Sequence, residues 1–250
     1  HDARGLAELG RLARSMGSQV FVKPMEHQNL RTLINVRRTM LKNRARTDAL
    51  IQSIFRLYGG NVKLLNGRGA LAAEVNDQVR KMRQHGLEIG VNLQPLVEIA
   101  EALREQISAL DRQMRDIASN NPTCRNFQTI PGIGPVVALS FYSAIGDPHR
   151  FERSRDVGAY LGLTPTLYQS GATSRRGRIS RHGNKLTRMH LITAATVLLC
   201  RIETESRLRT WGLELAQRVG FLKARVAVAR KLAVIMLGMW KSGSPFRPDG

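Results

Sequence analysis

Between Tyr168 and Arg188 the sequence reads YQSGATSRRGRISRHGNKLTR, with six Lys or Arg, three Ser and no acid. That mixture suits chemistry on a densely anionic substrate. Arginine forks match phosphate oxygens in a way that a point charge does not. A serine hydroxyl in such a field can attack a phosphodiester, because the charge that develops on the phosphate oxygens is stabilised where it forms. Ser170 is the foremost candidate: Gly171 removes steric bulk beside it, and Arg175, Arg176, Arg178, Arg181, Lys185 and Arg188 follow. Composition supports a plainer reading too, since Ser-Gly steps are commonly turns and charge runs solvated loops. Tyr168 is a rival nucleophile, although an aromatic on an extended segment more commonly packs.

A second motif precedes this one. TIPGIGPVVALSFYSAIG (129–146) has the pattern of a helix-hairpin-helix, with an apolar residue, Pro-Gly-Ile-Gly and then a helix. Gly132 and Gly134 permit a tight turn and let backbone N–H groups approach a phosphate at the next helix's N-terminus. Such a contact positions duplex DNA without reading its sequence. The competing reading is a glycine turn that only packs helices. His182 and His190 have no third ligand nearby in sequence, which argues against zinc. His182-Gly183-Asn184 instead reads as the cap of a helix that carries Lys185 and Arg188 toward the same substrate.

The whole chain carries the same sign. Thirty-nine Lys+Arg against nineteen Asp+Glu give +20 and a pI near 11.3 over 250 residues. From Val157 to Ile202 seven basic residues occur without one acid. The balance implies a polyanionic partner, and nucleic acid ahead of membrane because no long amphipathic anchor is evident. No apolar run reaches the length of about 18 residues that a spanning helix needs, and no signal peptide is visible. Two cysteines fit a reducing compartment, so the expectation is a bacterial cytoplasmic protein.

These residues need elements to position them. Leu6, Leu9, Leu12 and Met16 predict a helix over 2–16, and SQVFVKP (18–24) a short extended stretch or strand. Apolar residues recur at helical spacing from Glu26 to Tyr58, with Arg31, Arg37, Arg38, Lys42, Arg44 and Arg46 on the other face, until Gly59-Gly60 stops the helix. Helices are also predicted over 70–85, 92–118, 184–202 and about 222–241. The two long ones suggest an antiparallel hairpin or coiled coil. SNNPT (119–123) is the clearest punctuation, and a domain boundary is placed near 122. At 42% hydrophobic and 5% aromatic, the chain can bury one good core or two modest ones packed on aliphatic residues.

Several segments in order resemble one family of bacterial transposases. IPGIG, FERSRDVGAYLGLTPTLYQSG, RRGRISRHGNKLTRMHLITAA and LGMWKSGSPF look like the C-terminal domain of transposases of the insertion sequence 110/116/902 type. That family joins an N-terminal Asp-Glu-Asp-Asp domain of RuvC-like fold to a serine-bearing C-terminal domain. It includes the recombinases directed by a bridge RNA. DARGLAEL resembles the end of the acidic domain. The resemblance implies that Asp2 is the last acid of a Mg²⁺-binding tetrad and Ser170 the serine of strand cleavage. It implies DNA at the insertion-sequence ends and target as substrate, a guide RNA as a partner to be considered, and a homo-oligomer. HDARGLAELGRL reads as a helix already under way, so the other three acids are expected upstream of His1, and the chain alone is expected to be inactive.

The resulting expectation is a mainly α protein. Residues 1–25 would be the remnant of an α/β RuvC-like domain, 26–121 a long helical, coiled-coil-like middle, and 122–250 a transposase domain with the helix-hairpin-helix. The function expected is cleavage and rejoining of DNA. The alternatives are a non-enzymatic helix-hairpin-helix DNA-binding module and an RNA-binding structural protein.

Overall fold

The computed structural model describes residues 2–15, 21–65, 67, 69–86, 88–170 and 173–248. Helices dominate it, as the scarcity of aromatics and β-branched runs implies. Helix α1 (Asp2–Ser15) comes first, and residues 21–24 then run extended into α2 (Met25–Leu57). The strand considered for 18–24 does not form over 21–24, and the remainder of that stretch lies outside the described residues. Helix α3 (Ala70–Arg83) follows, then α4 (Gly90–Asn120), which tolerates Pro95 near its start at the loss of one backbone hydrogen bond.

Helices α2 and α4 lie antiparallel. Arg37 meets Asp111, while Asp48, eleven residues further on, meets Arg104, seven residues back along α4. Their apolar stripes split between two cores. Ile51 and Phe55 join Leu71, Val75, Leu93, Val97 and Ala100 in the smaller one. Leu30, Ile34, Met114 and Ala118 join the larger core, which continues across residue 122 into the C-terminal helices. Glu101 fixes α3 against α4: its carboxylate accepts from the N–H groups of Gly69, Leu71 and Ala72 at 3.1–3.3 Å. The first turn of α3 has no acid of its own, so a carboxylate from another helix satisfies its positive end.

Beyond Asn121, whose side chain caps α5 (Pro122–Gln128), the turn at 129–134 leads into α6 (Pro135–Ile145). A single 3₁₀ turn (Ser154–Asp156) and α7 (Val157–Tyr160) precede the hairpin of β1 (Pro165–Ser170) and β2 (Thr173–Ile179). Three helices finish the chain: α8 (Lys185–Cys200), α9 (Arg207–Val219) and α10 (Phe221–Ser242). Helix α10 is the centre of the larger core, with Val228, Ala229, Leu232, Ala233, Met236 and Leu237 fully buried. Each large apolar side chain buried here contributes about 1.5–3 kcal/mol. Strand β2 and helix α9 were not foreseen. Cap residue Ser206, whose hydroxyl accepts from Arg209 N–H, marks the start of α9.

The extended residues before α2 are tied to the far end of α6. Phe21 covers Gly146, where an added Cβ would lie 3.0 Å from the ring. Lys23 Nζ donates to the carbonyls of Ala144 and Ser143, capping α6. His27 Nδ1 lies 3.2 Å from the Tyr142 carbonyl oxygen. No helix among the described residues is long and apolar enough to cross a membrane.

Candidate nucleic-acid interface

The hairpin is antiparallel, with Leu167 opposite Arg176, Tyr168 opposite Arg175, Gln169 opposite Ser174, and Ser170 opposite Thr173. Ser170 therefore occupies the last ladder pair before the connection, at the end of the ribbon remote from the body. Gly171 and the side chains of 167–176, including those of Ser170, Arg175 and Arg176, lie outside the described residues. The register slips between Pro165 and Leu167, a bulge at the ribbon's base.

The base is locked to the body by two glycines that face each other's backbones. At Gly162 (φ +66°) an added Cβ would lie 2.3 Å from the His182 carbonyl oxygen. At Gly183 (φ +75°) it would lie 2.0 Å from the Tyr160 carbonyl oxygen. Both positions combine a left-handed backbone with an approach no side chain allows. Ser180 N–H donates to Thr164 O at 2.8 Å and Arg181 N–H to Gly162 O at 3.2 Å, closing the joint.

Arg188 completes this lock, and here the structure corrects the sequence reading. Its side chain is buried, and Nη1 donates to Leu161 O at 2.9 Å and His182 O at 2.8 Å. Burial, with Arg181 nearby, pushes its pKa down from the ordinary arginine value. A guanidinium spent on two carbonyls inside the fold does not bind phosphate; Arg188 positions the ribbon. The signal was in the sequence, because Arg188 falls on the buried stripe of α8 with Leu191, Ala195 and Leu198. Gly162 and Gly183 were likewise not singled out for this role.

Arg178, Arg181 and Lys185 do face solvent, and none forms an ion pair with an acid among the described residues. Arg181 is the non-glycine residue at positive φ (59°) among those described. Such a conformation costs about 1–3 kcal/mol and clusters at functional surfaces. Lys185 opens α8, whose next N–H groups, of Leu186 and Thr187, go to the Asn184 side chain at 3.0 and 3.1 Å. The cap expected at 182–184 is thus Asn184.

The Pro-Gly-Ile-Gly turn divides its two glycines between different tasks. Gly132 (φ +88°) lets α8 approach: an added Cβ would lie 3.2 Å from Ala194 O and 3.4 Å from Leu198 N. Its Cβ side packs against α8, which fits the plainer of the two readings. Gly134, by contrast, has nothing within 4 Å of its Cβ position and stands at the start of α6. It alone of the pair keeps an open approach.

His190 sits half-buried on α8, its Nδ1 without a partner among the described residues. Burial first, and then Arg37 and Arg38, lower its pKa to about 4. For metal chemistry, Asp2 is the first described residue of α1, and no three His, Cys, Asp or Glu side chains among the described residues come together as a ligand set.

Comparison with known proteins places this surface in context. Residues 124–210 match the family described as transposase IS116/IS110/IS902. The chain is 30% identical over 260 residues to the transposase for insertion sequence element IS1111A of Coxiella burnetii, spanning 99% of this chain and 67% of that protein. It is 29% identical over 253 residues to a probable family 20 transposase of Pseudomonas aeruginosa, spanning 99% and 73%. It is also 34% identical over 145 residues to the transposase for IS1328 of Yersinia enterocolitica, spanning 58% and 43%.

Proposed function

The chain belongs to the IS116/IS110/IS902 family of transposases, whose work is DNA transposition, and on that premise we propose that Ser170 is the nucleophile that cuts and rejoins the DNA strand. The observation that supports this reading is the place of Ser170 at the free end of a rigidly based, basic ribbon. A group held there reaches a DNA backbone lying across Arg178, Arg181 and Lys185. The Oγ–P bond forms as a P–O bond to one deoxyribose breaks. The serine proton leaves and the departing deoxyribose oxygen takes one up. Rejoining runs in the opposite sense, with a hydroxyl of a second strand attacking the phosphoserine phosphorus. One phosphodiester replaces another at each step, so no external energy source is needed. On this reading Arg175 and Arg176, the cations nearest Ser170 in the ladder register, stabilise the charge on the pentacovalent phosphorus, where preorganised cations contribute most.

On the same reading residues 1–25 end a RuvC-like domain, and the turn at 129–134 with α5 and α6 acts as a helix-hairpin-helix through Gly134. A Mg²⁺ ion at Asp2 needs several oxygen ligands, and one carboxylate does not supply them. The described residues do not fit that ion by themselves. A guide RNA and a second copy of the chain are further partners that the family resemblance favours.

The experiment is denaturing electrophoresis after incubation of nicked insertion-sequence DNA with the protein in full-length form, including the family's acidic domain. A covalent protein–DNA adduct is expected, lost in Ser170→Ala while duplex affinity stays within about threefold, because one hydroxyl is a small part of an electrostatic interface. Transposition by Ser170→Ala at the normal rate would leave this domain as the non-enzymatic DNA-binding module.

A further inference from the structure

Helix α6 ends with its last carbonyls taken by side chains from two other parts of the chain. Ser143 O accepts from Lys23 Nζ at 3.1 Å and Ile145 O from Arg150 Nη1 at 3.4 Å. Ala144 O accepts from Lys23 Nζ too, and from the Tyr160 hydroxyl at 3.2 Å. The Tyr142 carbonyl, already bonded to Gly146 N–H, also faces His27 Nδ1. A helix leaves its final carbonyls without partners of its own, and its negative end favours cations. In α6 that end is a socket, and residues 21–27, a strap laid across it, supply much of its closure.

The strap and Tyr160 meet again around Arg150. Its guanidinium carbon lies 4.5 Å from the centre of the Phe21 ring and 4.8 Å from that of Tyr160. Both distances fall within the range of about 6 Å over which a ring face attracts a cation. The backbone of Tyr160 serves a different neighbour. Its carbonyl oxygen is the atom that leaves no room for a side chain at Gly183, and the next carbonyl, of Leu161, accepts from Arg188. Tyr160 thus touches the strap's socket with its side chain and the base of the hairpin with its backbone.

We propose that Tyr160 is a positioning residue that couples the docked strap to the ribbon, so that the seating of residues 21–27 on the end of α6 sets how firmly the base of the β1–β2 hairpin is held. Packed rings and a shared hydrogen-bond acceptor are the physical path, and such coupling acts equally in both directions. The strap is also the stretch that leads from α1 into α2, so a pull on α1 reaches the ribbon through it. For catalysis this rests on Ser170 as the nucleophile; the coupling of strap to ribbon does not.

Amide exchange of the whole chain, followed residue by residue by NMR, tests the coupling. Phe21 is exposed, so Phe21→Ala loosens the strap with little effect on folding. Exchange at the Ser180 and Arg181 N–H groups, which close the ribbon's base, should rise at least about fivefold, the lower end of coupling between sites. Amides of α10, at the centre of the larger core, should keep their rates. Phe21→Tyr, which returns a ring to Arg150, should restore the rates at Ser180 and Arg181. Tyr160→Leu should speed exchange at both ends of the path, at Ser180 and Arg181 and at Gln28, whose N–H donates to Pro24 O at 3.2 Å. Adding Phe21→Ala to Tyr160→Leu should then change Ser180 and Arg181 by less than about twofold, because the link is already cut. In the full-length protein, Phe21→Ala should slow formation of the covalent adduct at least about fivefold and leave duplex affinity as it was. Unchanged exchange at Ser180 and Arg181 in Phe21→Ala, an equal rise throughout α10, additive effects of the two variants, or an unchanged adduct rate would overturn the positioning role. If the wild-type protein forms no adduct at all, Ser170 is refuted as the nucleophile, and the exchange rates still decide the role of Tyr160.

Discussion

Replacing Arg188 with methionine separates a positioning role from a DNA-binding one. Nη1 makes two hydrogen bonds, at 2.9 and 2.8 Å, to carbonyls that belong to the two turns of the glycine lock. Hydrogen bonds from a charged group contribute about 1.5–3 kcal/mol each, which gives roughly 3–6 kcal/mol in gross terms. Part of this is returned, because a buried guanidinium and its desolvation are removed together. Methionine also fills much of the vacated space. The net loss expected is about 3 kcal/mol, or a fall in melting temperature of about 6–12 °C for a chain of this size. Arg188→Lys should lie between, since one ammonium on a flexible stem does not reproduce the fixed fork. Circular dichroism melts check the magnitude, and duplex binding across a salt series checks the role. Below its melting temperature Arg188→Met should keep the wild-type salt slope. A melting temperature unchanged within a degree, together with a slope reduced by about one phosphate, would refute the positioning role.

Gly183→Ala places a methyl 2.0 Å from the Tyr160 carbonyl oxygen at a left-handed backbone, and should leave little folded protein at 37 °C in solubility and melting assays. Gly134→Ala, with open space at its Cβ position, should cost less than about 1 kcal/mol by the same melts. Glutamine at Arg178, Arg181 and Lys185 together should flatten the duplex salt slope by up to about three units. His190 should make stability acid-sensitive. Its folded pKa of about 4 lies below the ordinary 6.5, so only the unfolded chain binds the proton between those values, and stability falls as pH drops from 6.5 to 4. The loss approaches about 3 kcal/mol. Urea titrations at pH 7 and pH 4.5 should show a smaller drop for His190→Gln than for the wild type.

The long helices were legible because their apolar residues keep helical spacing over many turns, so α2, α3, α4, α8 and α10 form close to where the spacing puts them. Helix α9 hid behind the acids of IETESRL, although Leu208 and Gly212 mark its buried face. Strand β2 was unreadable for a different reason. TSRRGRI has the composition of a solvated loop, and only pairing with β1 makes it a strand. Among the candidate site residues, Arg178, Arg181 and Lys185 are exposed, as a polar run leads one to expect. Arg188 does not, because residue type outweighed periodicity in judging a cation within a basic run. Gly132 and Gly134 look equivalent in PGIG, and only the position of α8 assigns one to packing and the other to an open face.

Mass spectrometry of the adduct identifies directly the atom that attacks the DNA. The covalent protein–DNA complex formed by the full-length protein is digested with nuclease and trypsin, and the peptide that retains a nucleotide is fragmented. The nucleotide is expected on the hydroxyl of Ser170 in the tryptic peptide Asp156–Arg175. A nucleotide on Tyr168, Ser174 or Ser180, or DNA joining with no protein-bound nucleotide at any stage, would contradict the account.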